Sequence, residues 1–251
     1  MRNVSRLLVS VLLGAMVLGA SAASAGTKPV PQATPLGQNP SIARTHVGPT
    51  GAQSTCTLGV TGAPAFLVNY ILPPNDGYYT LLNAASCTAC SSPAVSAVTA
   101  HVLLNIRALC TIPVSVGIYG ATGDAACYKP DPNNVLCAPF TVNLAPAALG
   151  NFDFSIPMPA GCCISQPAFL KIEFLSLDAA CNGTTTIPRL ITTADCSMGC
   201  SSWNIFPGGG PDDLCLTIGF PGQPVMALDV DCCNATPTAR HSWGTLKSFY
   251  R

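Results

Sequence analysis

Short runs in which apolar and polar residues alternate fill the middle of the chain. In Ser96–Ala108, Val98, Ala100, Val102, Leu104 and Ile106 fall on one side. Val114, Val116 and Ile118 repeat the pattern in the next run. In Pro167–Leu175, Ala168, Leu170, Ile172 and Phe174 face one way, with Lys171 and Glu173 on the other. Leu214, Leu216 and Ile218 alternate with Cys215 and Thr217, and Met226, Leu228 and Val230 with Asp229 and Asp231. A repeat of two is the spacing of side chains on one face of a strand. Turn clusters separate the runs: Pro73-Pro74-Asn75-Asp76-Gly77, Pro130-Asp131-Pro132-Asn133-Asn134 and Gly208-Gly209-Gly210-Pro211. The pattern predicts about eight to ten strands and almost no helix. Strands with one apolar face each bury it by pairing two sheets, so the expected fold is all-β: a two-sheet antiparallel β-sandwich, jelly-roll-like.

The two ends of the chain differ from this middle. Residues 1–25 read as an export signal, with Arg2 and Arg6 ahead of the apolar run Leu7–Leu18 and Ala23-Ser24-Ala25 preceding a cut before Gly26. The apolar run is about 12 residues, short of the roughly 20 a spanning helix needs, and no later stretch is long and apolar enough to cross. Residues 26–54 are rich in Pro, Gly, Thr, Gln and Ser without apolar periodicity, and read as a flexible lead-in. Residues 55–233 form the β domain, with no linker that would split it. Residues 234–251 run from a Thr/Pro spacer into HSWGTLKSFYR, which is aromatic and basic.

Charge and cysteine content narrow the function classes. Between Cys56 and Cys233 four basic residues stand against all 11 acids of the chain, a formal charge of −7. A nucleic-acid binder needs a basic footprint, so that partner class is excluded. All 14 cysteines lie in the same span: Cys56, Cys87, Cys90, Cys110, Cys127, Cys137, Cys162, Cys163, Cys181, Cys196, Cys200, Cys215, Cys232 and Cys233. An even count in an exported chain predicts full pairing into disulfides, which places the protein outside the cell or at its surface, or in the periplasm. The adjacent pairs Cys162-Cys163 and Cys232-Cys233 are expected to send their sulfurs to different partners.

The segments CTIPVSVGIYG, PAGCCISQPAFLKIEF and ALDVDCC resemble exported, Cys-rich β-sandwich domains of uncharacterised bacterial proteins. The closing Ser-Trp-Gly-x-x-Lys-x-x-Tyr-Arg, with Trp243, Gly244, Lys247, Tyr250 and Arg251, resembles a short motif that ends some of those chains. The resemblance implies location and architecture and no activity. In such a context the tail reads as an address for a secretion or surface-attachment partner, or as a peptide that docks; the plainer reading is a frayed terminus.

Candidate chemistry is sparse. The single CxxC, Cys87-x-x-Cys90, lacks the paired spacings of a zinc site. There is no G-x-S-x-G elbow, and His46 and His241 fall in the terminal segments, leaving His101 as the one core histidine. It shares a strand face with Thr99, Asn105 and Arg107 and reads as a solvated or hydrogen-bonded surface histidine. Glu173, beside Lys171, has no marked carboxylate partner for glycoside hydrolysis and reads as half of an ion pair. Trp203 and Asn204, with Phe206, precede Asp212 and Asp213, a combination that could stack on and hydrogen-bond a sugar; the alternative is a Trp203 that anchors the loop. Asp229 and Asp231, on one strand face, could hold calcium, otherwise forming an ordinary polar face; no other cofactor is implied. Asn182-Gly183-Thr184 and Asn234-Ala235-Thr236 match the glycosylation pattern, which carries little weight in a bacterial context. The expectation is a secreted or cell-surface structural or adhesive β module without catalytic activity, its partners being surface components or polysaccharide. A glycan-binding module at Trp203 and Asp212/Asp213 comes second, and an extracellular hydrolase third.

Overall fold

The computed structural model describes residues 30–37, 40–47 and 54–233; residues 1–25, read above as an export signal, and the aromatic-basic tail lie outside the described residues. Among the described residues fifteen strands form two sheets. In chain order they are β1 Gln32–Pro35, β2 Ile42–His46, β3 Cys56–Gly59, β4 Phe66–Asn69, β5 Asp76–Leu82, β6 Val95–Ile106, β7 Ile112–Asp124 and β8 Cys127–Leu144. Then follow β9 Gly150–Pro157, β10 Cys163–Ile164, β11 Ala168–Phe174, β12 Arg189–Thr192, β13 Ser202–Ile205, β14 Pro211–Asp213 and β15 Met226–Cys232. Among the described residues no helix is long and apolar enough to cross a membrane.

The nine-stranded sheet is built on β6. One edge of β6 pairs with β15 and, farther along, β12; the other pairs with β9 and β10. Beyond β15 lies β3, beyond β12 lie β4 and then β1, and beyond β9 lies β2. The second sheet runs β14-β13-β5-β11-β7-β8. Its inward residues, among them Tyr78, Val116, Leu170, Ile172 and Phe174, meet Ala100, Val102, Leu104, Met226 and Leu228 of the first sheet in one buried cluster. The alternation read from β7, β11 and β15 is therefore the packing pattern of the core. Tyr78 and Phe174 meet edge to face with centroids 5.8 Å apart.

The phase of β6 shifts once. Ala100, Val102, Leu104 and Ile106 point inward, but Val98 does not; Val95 and Ala97 are the buried pair at the start of the strand. The pairing with β15 slips by one residue between Asp229 and Val230, so Ala100 faces Leu228 and Ala97 faces Val230. A bulge of this kind absorbs one extra residue and lets both ends of a long strand keep their apolar side in the core.

Two further segments differ from the sequence reading. Leu214–Ile218 is not a strand but a single wide helical turn. Its N-terminal neighbour Asp213 accepts the backbone N–H groups of Cys215 and Leu216 at 2.9 and 2.7 Å, which turns the chain where alternation alone implied extension. Leu216 is left exposed. The lead-in 26–54 contains β1 and β2, each added to a sheet edge; they bury few side chains, so they leave no apolar period to read. The larger strand number than expected comes from such short edge pieces.

All fourteen cysteines are paired: 56–87, 90–232, 110–181, 127–200, 137–162, 163–233 and 196–215. The adjacent cysteines diverge as expected. Cys162 goes to β8 in one sheet and Cys163 to Cys233 beside the other, while Cys232 goes to Cys90. Replacing Cys90 and Cys232 together with Ala opens the bridge with the longest span, 142 residues. The double variant is expected to fold and to lose about 2–5 kcal/mol, read as a lowered urea midpoint.

Candidate functional site: a histidine held between two aspartates

The outer face of the nine-stranded sheet is polar where β15, β6 and β9 run side by side. Residues 229, 101, 155 and 153 alternate with core residues on their strands and so point away from the core. His101 stands between two carboxylates: Nδ1 is 3.0 Å from Asp153 Oδ1 and Nε2 is 3.1 Å from Asp229 Oδ2. Ser155 Oγ lies 3.3 Å from Nδ1. Outward, Arg44 Nε of β2 is 3.7 Å from Asp153 Oδ2, and Thr57 of β3 donates to Asp229 Oδ1 at 2.6 Å. Thr55 donates in the same way to Asp231. Five strands thus contribute to one row of polar contacts. His101 is a hydrogen-bonded surface residue, as its sequence position suggested, with partners the sequence did not indicate.

A neutral imidazole has one N–H and one lone pair, so it satisfies one carboxylate and repels the other. Only the imidazolium donates to both. Burial alone would push the His101 pKa down, but the hydrogen bond and charge of Asp153, with the charge and hydrogen bond of Asp229, outweigh it and raise it above the usual 6.5. In the imidazolium form both ring nitrogens donate, and in that form His101 has no lone pair for the proton of Ser155, a buried residue. The cluster is a clamp between strands.

Of the two readings of Trp203, a sugar-stacking ring or a loop anchor, the structure has the anchor. Trp203 is 4% exposed and packs with Tyr79, Tyr119 and Phe169 on the outer face of the second sheet. The far end of the β7–β8 hairpin reaches this layer: Cys127 is bonded to Cys200, and the Lys129 ammonium sits 5.9 Å from the indole centroid. Trp203 is therefore the anchoring residue and offers no open ring for stacking. Asn204 is wholly buried and donates its amide to Asp76 Oδ1 at 2.7 Å and to the Gly77 carbonyl at 3.2 Å. Asp76 in turn accepts from the Tyr78 hydroxyl at 2.5 Å and the Leu72 N–H at 2.9 Å, so Asn204 is one member of an interior polar network.

Asp213 is buried and spent on backbone. Besides the turn it caps, it accepts the N–H of Cys200 at 2.6 Å, where φ is +63°, a left-handed conformation that a residue with a Cβ rarely adopts. Asp212 lies beside it, half-buried, on β14. Lys171 and Glu173 form the expected pair at 3.0 Å, with the ammonium also 5.7 and 5.4 Å from the Tyr79 and Tyr119 centroids. Asp229 and Asp231 do share the outer face, but the first is engaged by His101 and Thr57 and the second by Thr55. Among the described residues no three His, Cys, Asp or Glu side chains converge in a metal-binding group.

A cleft of about 640 Å³ opens at one end of the sandwich, lined by Gly59, Val60, Asn83, Thr193, Met198 and Gln223 among others. Its polar groups are largely turned on each other: Gln223 Nε2 and Ser201 Oγ both donate to the Met198 carbonyl, at 2.7 and 2.6 Å. None of the residues singled out from the sequence lines it. It is assembled from loops distant along the chain, and no local motif marks them.

No family model matches the chain, and no curated protein is found similar to it. Among solved structures it is similar to the crystal structure of the cysteine protease and lectin-like domains of Cwp84, a surface layer associated protein of Clostridium difficile. The TM-score is 0.44 at 8% identity, over 66% of this chain and 33% of that one. The chain thus spans a third of that structure's length, and a likeness of this size carries no argument.

The clamp has a pH consequence. Because the folded pKa of His101 lies above its unfolded value, the stabilisation is complete below about pH 6.5 and is lost as pH rises through the folded value. Urea midpoints measured upward from pH 6 are expected to fall for the wild type. His101→Gln is expected to remove that part of the slope.

Proposed function

We propose that the protein is an exported, non-catalytic β module with a structural or adhesive role at or beyond the cell surface. The observation that carries the reading is the complete pairing of fourteen cysteines across both sheets of a weakly charged sandwich. Seven bridges suit an oxidising exterior, where a chain must persist without chaperones or repair. The signal-like N-terminus is the support for export. Among the described residues, His101 with its acidic and hydroxyl neighbours reads as a strand clamp, which supports a role other than hydrolysis. The aromatic-basic tail, as an address or docking peptide, belongs to the same reading.

The cleft favours a second reading, a ligand-binding module. A carbohydrate or other small surface component would meet the end cleft rather than the buried Trp203. Calcium remains a proposal for the Asp229 and Asp231 face, where it would have to displace the Thr57 and Thr55 hydroxyls.

Purified oxidised protein and its His101→Ala variant are expected to be equally silent across a broad hydrolase screen. Turnover by the wild type that His101→Ala abolishes would overturn the non-catalytic reading. Immobilised protein is expected to retain cells or surface polysaccharide, measured against a reduced and alkylated control. If retention depends on the cleft, Met198→Arg at its mouth is expected to weaken it at least several-fold while the urea midpoint holds.

A further inference from the structure

Of the four basic residues between Cys56 and Cys233, two have partners already described: Lys171 pairs with Glu173 at 3.0 Å, and Lys129 lies over the Trp203 indole. The other two, Arg107 and Arg189, stand together on the outer face of the nine-stranded sheet. Arg189 of β12 faces Asn105 of β6, and Arg107 is the next outward position after Asn105. Diagonal neighbours of this kind have Cα atoms about 7–8 Å apart, within reach of two long side chains. The span carries 11 acids, yet among the described residues neither guanidinium is within ion-pair distance of a carboxylate.

Their neighbours across the sheet are carboxamides. Asn105 faces Asn151 of β9 and donates to its Oδ1 at 2.9 Å. On the other side, Leu190 faces Val68, which sets Asn69 of β4 next to Arg189, and Asn69 faces Gln32 of β1. The next outward residue of β9, Asp153, is engaged by His101 and Arg44. Arg189 is half-buried, and its Nε–H is closed off from solvent without an acceptor. Burial, and then the neighbouring charge of Arg107, pull the Arg189 pKa below its usual value. A like-charged pair with a buried, unmatched donor destabilises the fold, so holding the strands together does not account for it. Beside the pair, Leu109 and Leu149 are exposed; Leu149 precedes Gly150, which faces Ile106 next to Arg107. They give the site an apolar rim.

We propose that Arg107 and Arg189 form a binding site for a phosphate group, held between the two guanidinium groups and flanked by the Asn105 carboxamide. A guanidinium presents planar, paired N–H donors that match phosphate oxygens two at a time. Phosphate at neutral pH carries about −1.5 to −2, which balances both arginines, whereas a carboxylate balances one. Two arginines in a span of net charge −7 fall short of the footprint a nucleic acid requires. The group recognised is therefore an isolated phosphate, free or borne on a surface polysaccharide. The inference goes beyond the structural or adhesive reading and does not depend on it, because the binding is measured without cells.

Inorganic phosphate titrated into the purified oxidised protein is expected to move the Arg189 Nε–H resonance saturably in NMR spectra. Acetate at matched ionic strength is expected to bind at least tenfold more weakly. A resonance that phosphate leaves in place, or that acetate moves equally well, overturns the proposal. Arg107→Gln is expected to weaken phosphate binding at least tenfold and Lys129→Gln to leave it unchanged; binding that survives Arg107→Gln overturns the proposal. Urea midpoints separate this site from a structural role. In phosphate-free buffer the Arg107→Gln midpoint is expected to equal or exceed that of the wild type, and added phosphate to raise the wild-type midpoint alone. A midpoint that Arg107→Gln lowers without phosphate marks a structural arginine and overturns the proposal. Columns of phosphorylated and plain dextran then distinguish the sources. Retention on the phosphorylated polymer alone, lost in Arg107→Gln, supports the site with its phosphate on a polysaccharide. Passage through both columns by protein that binds inorganic phosphate supports the site with a free ligand.

Discussion

The strand β6 is hydrogen-bonded on both edges for most of its length, and its inner side is apolar from Val95 to Ile106 apart from the one-residue slip at Val98. That double constraint sets the geometry of the nine-stranded sheet. Each fully buried Leu, Ile, Val or Phe side chain contributes about 1.5–3 kcal/mol, so the register that keeps these residues inside outweighs any single outer-face contact. Once β9 and β15 are fixed in that register, Asp153 and Asp229 arrive on either side of His101 with no further adjustment. The outer faces inherit their chemistry from the packing of the inner ones.

The disulfides act on a fold that already has a core. Cys87, Cys137 and Cys181 are buried in that core and Cys56, Cys90, Cys110 and Cys162 pack against it, and several bridges tie elements of one sheet to the other. Cys137–Cys162 ties β8 to the segment leading into β10, and Cys56–Cys87 ties β3 to the turn after β5. Cys127–Cys200 has a different effect, because it pins a hairpin end beside Trp203 and helps make an aromatic layer of what would be an open face. The buried Trp203 and the capping Asp213 follow from that pin and from the left-handed turn at Cys200.

What the sequence made legible was local. Leu170, Ile172 and Phe174 announce their strand because burial on one face repeats every second residue, and the two-sheet fold and complete cysteine pairing follow from such runs and from parity. What the sequence left open or misled on shares one cause, contacts made at a distance. Leu214–Ile218 alternates like a strand, but the Asp213 carboxylate takes up the amides that a sheet would have used. The His101 clamp depends on partners 52 and 128 residues away. Trp203 is covered through a bond to a cysteine 73 residues from its own loop. Strands β1 and β2 carry no apolar period because their attachment is mainly through backbone.

The order of the bridges has a mechanical corollary. From Cys56 the covalent route passes through its bridge to Cys87, along two residues to Cys90, across to Cys232 and on to Cys233. Tension entering ahead of the β domain and leaving behind it would run through this shortcut, about 25 Å when taut, whereas the same stretch without bridges would pay out about 600 Å. The rest of the sandwich hangs from that line without being stretched, so a pulled chain behaves as a short inextensible link whose folded surface stays on display.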